Sequence, residues 1–131
     1  MLQEFQHAAR GMLKGSDALD RRSGVHMDVR RHNACWASPT VKTVVALVDI
    51  SICATAGCQP SMRFTEWSAE TLDEKGRYQH HSDMRQAAEV LEQLCENNAA
   101  WQSNSAELRQ QMTSKQLTAR EAFQRSFLKV V

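Results

Sequence analysis

The first residues of the chain show the apolar spacing of a helix. Apolar side chains recur at intervals of three and four residues with polar residues between them, as one face of an α-helix requires. Lys14 and Gly15 then provide the basic last turn and the glycine that are typical of a helix end, and Gly11 weakens the helix by about 1 kcal/mol. We therefore predict a first helix that ends near Gly15, with an apolar face formed by Leu2, Phe5, Ala9, Met12 and Leu13.

The middle of the chain has the alternating pattern of strands. Apolar and polar residues alternate over 25–30, which is the period of a half-buried strand. The segment 40–52 is rich in β-branched residues, which favours a long strand. A helix is the competing interpretation of 40–56, because Ser38 and Pro39 have the character of a cap and first helical position.

Two further strand-like segments follow, at 62–67 and 77–80, on either side of a glycine-containing turn at 73–76. Consecutive short strands joined by turns are typical of an antiparallel meander. The pattern over this part of the chain therefore predicts three to four antiparallel strands.

The pattern after residue 82 is helical. Ser82 is a predicted N-cap, and Ser105 is a predicted cap of a second helix. Thr118 and Glu121 form the sequence pattern of a capping box at the start of a last helix. The predicted fold is α+β, with an N-terminal helix, a small antiparallel sheet and a C-terminal helical region, in a single domain spanning residues 1–131; the alternative is an all-α fold.

The composition and the total charge are typical of a globular protein and do not identify its function. The chain is 42% hydrophobic and 24% charged, with a formal net charge of +1, which is ordinary for a globular protein. This balance conceals an uneven distribution, because residues 66–96 carry a local charge of −5 and residues 97–131 a local charge of +3. Segments of opposite sign can face each other within the fold or between copies.

Neither a targeting segment nor a catalytic motif is apparent. The longest apolar run, 44–48, is far too short to cross a membrane, and four cysteines without an export signal are expected to be reduced thiols in the cytoplasm. The chain has no glycine-rich phosphate loop, no G-x-S-x-G, no H-E-x-x-H and no calcium loop. The sequence therefore favours a non-catalytic protein without a cofactor or membrane association, and an enzyme with a site assembled from distant residues is an alternative.

Imidazole and thiol groups raise the hypothesis of a small zinc-binding domain. Zinc prefers these ligands, but structural sites have two closely spaced pairs, and Cys53 and Cys58 have four residues between them. Structural thiols and surface histidines are the competing interpretation. The candidate ligands are His32, Cys35, Cys53, Cys58, His80 and His81.

Two arginine doublets, Arg21-Arg22 and Arg30-Arg31, raise the hypothesis of a nucleic-acid-binding accessory protein. The predicted order of one helix, three strands and one helix resembles that of double-stranded-RNA-binding domains, and this resemblance implies phosphate contacts at the start of the second helix. That family places lysines there, whereas this chain has Asp83 near the start of the predicted helix. The near-neutral total charge also supplies few phosphate contacts.

The favoured hypothesis is a binding or regulatory protein that acts through protein–protein contacts. Trp36 lies in a predicted loop, where an exposed aromatic side chain is a candidate anchor for a partner; packing into the core is the competing interpretation. Phe123 and Phe127 lie near the chain end and are candidates for a contact between two copies of the chain.

Overall fold

The computed structural model describes residues 2–41, 43–61, 63–64, 67–114 and 117–125. Within these residues the chain forms helices and short antiparallel strands, which confirms the α+β class. The helices are α1 (Leu2–Asp20), α2 (His80–Cys95), α3 (Ala99–Thr113) and α4 (Ala119–Phe123). The strands are β1 (Gly24–Val25), β2 (Ala34–Trp36), β3 (Val45–Leu47) and β4 (Ala54–Thr55).

Helix α1 continues beyond Gly15, where the sequence predicted its end, and reaches Asp20. Gly11 and Gly15 instead allow β3 to lie against the helix. A Cβ atom at Gly11 would overlap the carbonyl oxygen of Val45 and stand 2.7 Å from its Cβ. A Cβ at Gly15 would stand 3.0 Å from the nearest side-chain atom of Leu47. The two glycines are one helical turn apart, so they form a shallow groove on one face of α1.

The strands form two nested antiparallel pairs rather than a meander. β1 pairs with β4, and β2 pairs with β3 as a hairpin inside that pair. The described residues therefore lack the three-stranded sheet on which the resemblance to double-stranded-RNA-binding domains depended. The described residues of segment 40–56 contain β3 and β4 and no helix. The strand at 45–47 is shorter than predicted, because Asp49 adopts a positive φ of 59°, which ends the strand.

The C-terminal helices follow the sequence prediction with shifted starts. Helix α2 begins at His80, and Ser82 accepts a hydrogen bond at 3.0 Å from the N–H of Gln79, the residue in the cap position. Asn98 caps α3 by accepting from Trp101 N–H, so Ser105, the predicted cap, lies buried within that helix. The predicted capping box of Thr118 and Glu121 is confirmed at the start of α4.

The buried apolar side chains form two clusters. The larger one lies between α1, α2, α3 and α4, and includes Leu13, Leu91 and Met112, which are fully buried. The smaller one lies beneath β1 and β4 and has Val25, Met27 and Tyr78 at its centre. The N-terminal part of α2 lies between the two clusters, so its side chains reach both of them.

The oppositely charged segments meet where α3 packs against α2. Arg109 of the basic segment lies 4.0 Å from Glu92 of the acidic segment, and Arg120 lies 3.8 Å from Asp17 in α1. Each pair has one exposed member and a long separation, so it contributes at most about 1 kcal/mol. Glu92 in α2 and Glu96 at its C-cap are both exposed, so this end of the helix has an acidic surface.

Candidate functional site

A buried carboxylate joins α2 to the start of the sheet region. Asp83 is fully buried and accepts hydrogen bonds from the backbone N–H groups of His26 and Met27, at 2.6 and 3.0 Å. The hydroxyl of Tyr78 donates to the same carboxylate at 2.5 Å. Met27 has a positive φ of 73°, a conformation that costs a non-glycine residue free energy and is held here by this carboxylate.

Two further buried side chains extend this arrangement. Gln86 accepts from the N–H of Val29 at 2.8 Å, and it shares with Asp83 the single hydrogen of the Tyr78 hydroxyl, which lies 3.2 Å away. The Nδ1 of His26 accepts from Asp28 N–H, so the ring hydrogen lies on Nε2, which donates to the carbonyl of Val48 at 3.0 Å. We call Asp83, Tyr78, Gln86 and His26 the Asp83 cluster.

Burial dominates the electrostatics of this cluster. Removal from water raises the pKa of Asp83 above its ordinary value, although its three hydrogen bonds oppose this change. Burial, reinforced by the neighbouring Asp83, raises the pKa of Tyr78 well above its ordinary value. Because both residues are enclosed, neither can contact a ligand, and the cluster fixes the 26–29 segment to α2.

A cleft of about 340 Å³ opens on the outer side of that segment. We call it the arginine cleft because Arg30 and Arg31 form one of its walls, together with His32. Phe64 and Trp67 line the second wall, and α2 provides the third. The α2 residues lie at intervals of three and four, so they share one face of the helix; they are Gln86, Glu89, Val90 and Gln93.

Some charged side chains in the arginine cleft have an ion-pair partner within the described ranges of the chain, and others do not. Arg30 lies 2.9 Å from the carboxylate of Asp28, which also accepts from Asn33. Arg31 is exposed and has no partner among the side chains that the structure describes. Burial raises the pKa of Glu89 above its ordinary value, with Arg85 opposing the change from 3.8 Å. The cleft therefore offers an uncompensated cation at its rim.

The β2–β3 hairpin provides a second candidate surface. α1 covers one face of β3, where Val45 is 5% exposed. Alternation along the strand turns Val44 and Val48 to the opposite face, where they are 57% and 39% exposed. Val41 and Ile50 flank the strand and are 58% and 69% exposed. We call these four side chains the hairpin surface.

The residues nominated as zinc ligands do not converge. Among the residues that the structure describes, which include all six candidates, no three His, Cys, Asp or Glu side chains stand close enough to hold a metal ion. Cys35 is exposed and donates to the carbonyl of His32, and Cys58 lies 3.9 Å from the sulfur of Met27. Burial, with the charges of Asp83 and Asp49, raises the pKa of the Cys53 thiol above its ordinary value, so Cys53 has little thiolate character.

The paired histidines lie at the start of α2. His80 Nδ1 is 3.5 Å from the carboxylate of Asp20 at the end of α1, which places it between two helix termini. His81 lines a shallow surface depression with Thr118 and Glu121. Neither histidine approaches the cysteines closely enough to complete the zinc site that their residue types had indicated.

The first arginine doublet is engaged at the end of α1. Arg21 forms an ion pair with Asp17 at 2.8 Å, and Arg22 donates to the carbonyl of Ala18. The second doublet lies at the arginine cleft. The two doublets therefore have different surroundings, and the second one lines a concave surface.

Two of the aromatic candidates, Trp36 and Phe123, are partly buried. Trp36 is in β2 rather than in a loop, and it pairs with buried Val45, so it points to the face that α1 covers and is half-buried. Phe123 is partly buried against the larger cluster, with the guanidinium of Arg10 4.2 Å from its ring centre. Phe127 lies outside the described residues.

Sequence reasoning missed the Asp83 cluster and the hairpin surface. In the sequence, Asp83 is visible only as an acidic residue in the first turn of a helix. Its backbone partner His26 lies 57 residues earlier in the chain, so no local pattern indicates that Asp83 is buried. The exposed valines stood in the β-branched run that predicted a strand. Their alternation was visible, but the identity of the covered face depends on α1.

Within the described residues, none of the helices has the length and apolar character that a membrane crossing requires. Comparison of the chain with models of known protein families gives no match, and comparison with curated proteins gives none either. We therefore base the function on the geometry of these surfaces.

Proposed function

We propose that the protein is a non-catalytic binding or regulatory protein that acts through protein–protein contacts made by the hairpin surface. The observation that carries this proposal is the contrast around β3: Val45 is buried against α1, whereas Val44 and Val48, which directly flank the strand, are exposed. A single exposed valine is ordinary on a protein surface. Several large aliphatic side chains within residues 41–50 are typical of an interaction site.

The shape of the hairpin supports the same proposal. A two-stranded hairpin is only marginally stable by itself, and here α1 supports it through the close approach at Gly11. Nε2 of His26 also donates to the carbonyl of Val48, which holds the end of the strand. A partner would therefore meet an ordered surface and would not have to order it on binding, which favours affinity.

The partner is a protein with a complementary apolar surface, and a second copy of this chain is one such partner. The same proposal places the protein in the cytoplasm, which is supported by the four cysteines being free thiols.

Affinity capture with a matched pair of variants tests the proposal. The first variant replaces Val44, Val48 and Ile50 with Ser, and the control places Ser at three exposed positions on α3, namely Asn104, Glu107 and Gln110. We expect the chain and the control variant to retain a partner from the native cell extract that the hairpin variant loses by about tenfold or more, because apolar anchors dominate interfaces.

Light scattering over a range of concentrations separates the two kinds of partner. If the chain self-associates and the hairpin variant does not, the partner is a second copy. If both variants recover the same proteins in the same amounts, and both have the same mass in solution, the hairpin surface is not the binding site and the proposal is wrong.

A further inference from the structure

The arginine cleft combines three kinds of chemistry that the proposed function does not use. Its rim is cationic, one wall is aromatic and the wall from α2 carries hydrogen-bonding side chains. At about 340 Å³, the cleft lies near the lower limit of about 300–1,000 Å³ for small-molecule sites. It therefore suits one compact ligand rather than an extended chain segment.

The rim selects for an anionic group. Arg30 is neutralised by Asp28, so the cation left for a ligand is Arg31, with the ring of His32 next to it in the chain. A guanidinium offers several N–H donors in a plane and binds phosphate oxygens two at a time.

The aromatic wall selects for a flat ring. Phe64 and Trp67 pack edge to face, with ring centres 5.4 Å apart. Tyr78 supports Trp67 from below, with its ring centre 5.3 Å away. Because Tyr78 is held by the Asp83 cluster, the indole has a fixed support. Aromatic side chains in such a position stack on nucleobases regardless of base identity.

The wall from α2 can bind the polar edge of such a ring. The carbonyl oxygen of Gln86 is used by Val29 and Tyr78, so its NH₂ is the group left for the cleft that Gln86 lines. Glu89 supplies a carboxylate that accepts hydrogen bonds, and Gln93 supplies both a donor and an acceptor. Bases are read by such groups on their hydrogen-bonding edge.

We propose that the arginine cleft binds a nucleotide, with the base against Phe64 and Trp67, the base edge toward Gln86 and Glu89, and the phosphate at Arg31. The ligand is either a free mononucleotide or one nucleotide of a single strand, since both present the same base and phosphate. This site is independent of the hairpin surface and extends the chain's activity beyond protein–protein contact.

Isothermal titration calorimetry of the full chain tests the proposal. The probes are the four ribonucleoside 5′-monophosphates, the corresponding nucleosides, inorganic phosphate and short single-stranded RNA. We expect at least one monophosphate to bind with a dissociation constant below about 1 mM, and its nucleoside and inorganic phosphate to bind more weakly. No binding by any monophosphate or strand, or equal affinity for inorganic phosphate and the monophosphates, would overturn the proposal.

Substitutions in the cleft locate the site. Arg31→Ala should weaken nucleotide binding by about tenfold or more, since it removes hydrogen bonds between charged groups. Phe64→Leu should weaken it by about fivefold or more, because it keeps the apolar area and removes a ring that supports stacking. Arg22→Ala, an exposed arginine outside the cleft, is the matched control and should leave the affinity unchanged. Equal affinities in the Arg31→Ala and Arg22→Ala variants would place the ligand elsewhere and refute the site.

Two comparisons complete the experiment. If single-stranded RNA binds at least tenfold more tightly than the monophosphate, and Arg31→Ala weakens both, the ligand is one nucleotide of a strand; otherwise it is a free mononucleotide. The variant with Ser at Val44, Val48 and Ile50 should bind nucleotide as the unaltered chain does. The failure of one proposal is therefore distinguishable from the failure of the other.

Discussion

The Asp83 cluster and the hairpin surface depart in opposite ways from the usual distribution of side chains. At Asp83 a carboxylate lies fully buried, and at the hairpin large aliphatic side chains face solvent. The buried carboxylate is partly compensated within the chain, because backbone and hydroxyl donors surround it. The exposed valines have no such compensation in the described part of the chain. The first departure therefore serves the fold, and the second is available for a partner.

The two regions are also physically connected. His26 donates its own N–H to Asp83, and its ring donates to the carbonyl of Val48 at the edge of the hairpin surface. The hairpin is thus held from one side by the Asp83 cluster and from the other by α1. Substitutions on the buried side should affect stability, and substitutions on the exposed side should affect binding.

The largest effect should come from Asp83→Asn. The amide that replaces one carboxylate oxygen would present N–H groups to a buried donor, either the N–H of His26 or the donors Met27 N–H and Tyr78 hydroxyl. We expect a loss of about 3 kcal/mol in the free energy of unfolding, measured by urea denaturation. Asp20→Asn is the control, because the Asp20 side chain is 40% exposed and should change stability by less than about 0.5 kcal/mol. Equal losses in both variants would contradict the structural role of the Asp83 cluster.

The next effect should come from Gly11→Ala on the opposite side of the hairpin. Alanine in a helix interior ordinarily stabilises by about 1 kcal/mol over glycine, but here its Cβ would overlap the backbone of Val45. We expect a net loss of about 2 kcal/mol by thermal or urea unfolding, as for an overpacked core. Gly15→Ala should be close to neutral, because its Cβ would stand 3.0 to 3.2 Å from side-chain atoms of Leu47, and the cost of the small shift this requires offsets the gain in helix propensity. A stabilised Gly11→Ala variant would show that α1 and β3 do not approach this closely.

These glycines also show what the sequence could and could not predict. The apolar period located α1, but Gly11 and Gly15 were interpreted from local propensity as a weak point and a stop. Their role depends on β3, where Gly11 meets Val45 and Gly15 meets Leu47. Ser105 was predicted as a cap for the same local reason and is instead buried within α3. The capping box of Thr118 and Glu121 was predictable because both partners lie within one helical turn.

The candidate sites were less predictable than the fold. The second arginine doublet was visible as a charge pattern, but its position on a cleft depends on Phe64, Trp67 and α2, which are distant in sequence. The zinc hypothesis relied on residue types whose spacing leaves their distances undetermined, and the fold keeps them apart. Long-range contacts therefore decide the site chemistry, whereas periodicity and capping are sufficient for most of the helices.

Two adjacent residues at the start of β3, one just before the strand and one within it, compare the covered face with the exposed face directly. Val45→Ala removes two buried methyl groups and should cost about 2 kcal/mol in the free energy of unfolding. Val44→Ala removes the same groups from a side chain that is 57% exposed, and should cost less than about 0.5 kcal/mol. If urea denaturation gave equal costs, or a larger cost for Val44, the assignment of the two faces would be wrong.

The smallest effect is a difference in pH dependence between a buried and a surface carboxylate. Burial raises the folded-state pKa of Asp83 above 3.8, so its favourable contribution to stability is present below pH 3.8 and is lost as the pH rises through the folded-state pKa. Asp73 accepts hydrogen bonds from Gln79, Arg77 and Lys75, and these lower its folded-state pKa below 3.8. Its contribution is therefore present above pH 3.8 and is lost as the pH falls through the folded-state pKa.

Urea denaturation at a series of pH values measures this difference against the variants Asp83→Asn and Asp73→Asn. As the pH rises, the stability of the unaltered chain relative to Asp83→Asn should decrease, and its stability relative to Asp73→Asn should increase. The two slopes have opposite signs because desolvation is the largest influence on the pKa of Asp83, whereas hydrogen bonds from Gln79 and Arg77 outweigh desolvation at Asp73. Slopes of the same sign would mean that the donors around Asp83 compensate for its burial completely. The two carboxylates would then differ in position but not in the sign of their contribution to the pH dependence of stability.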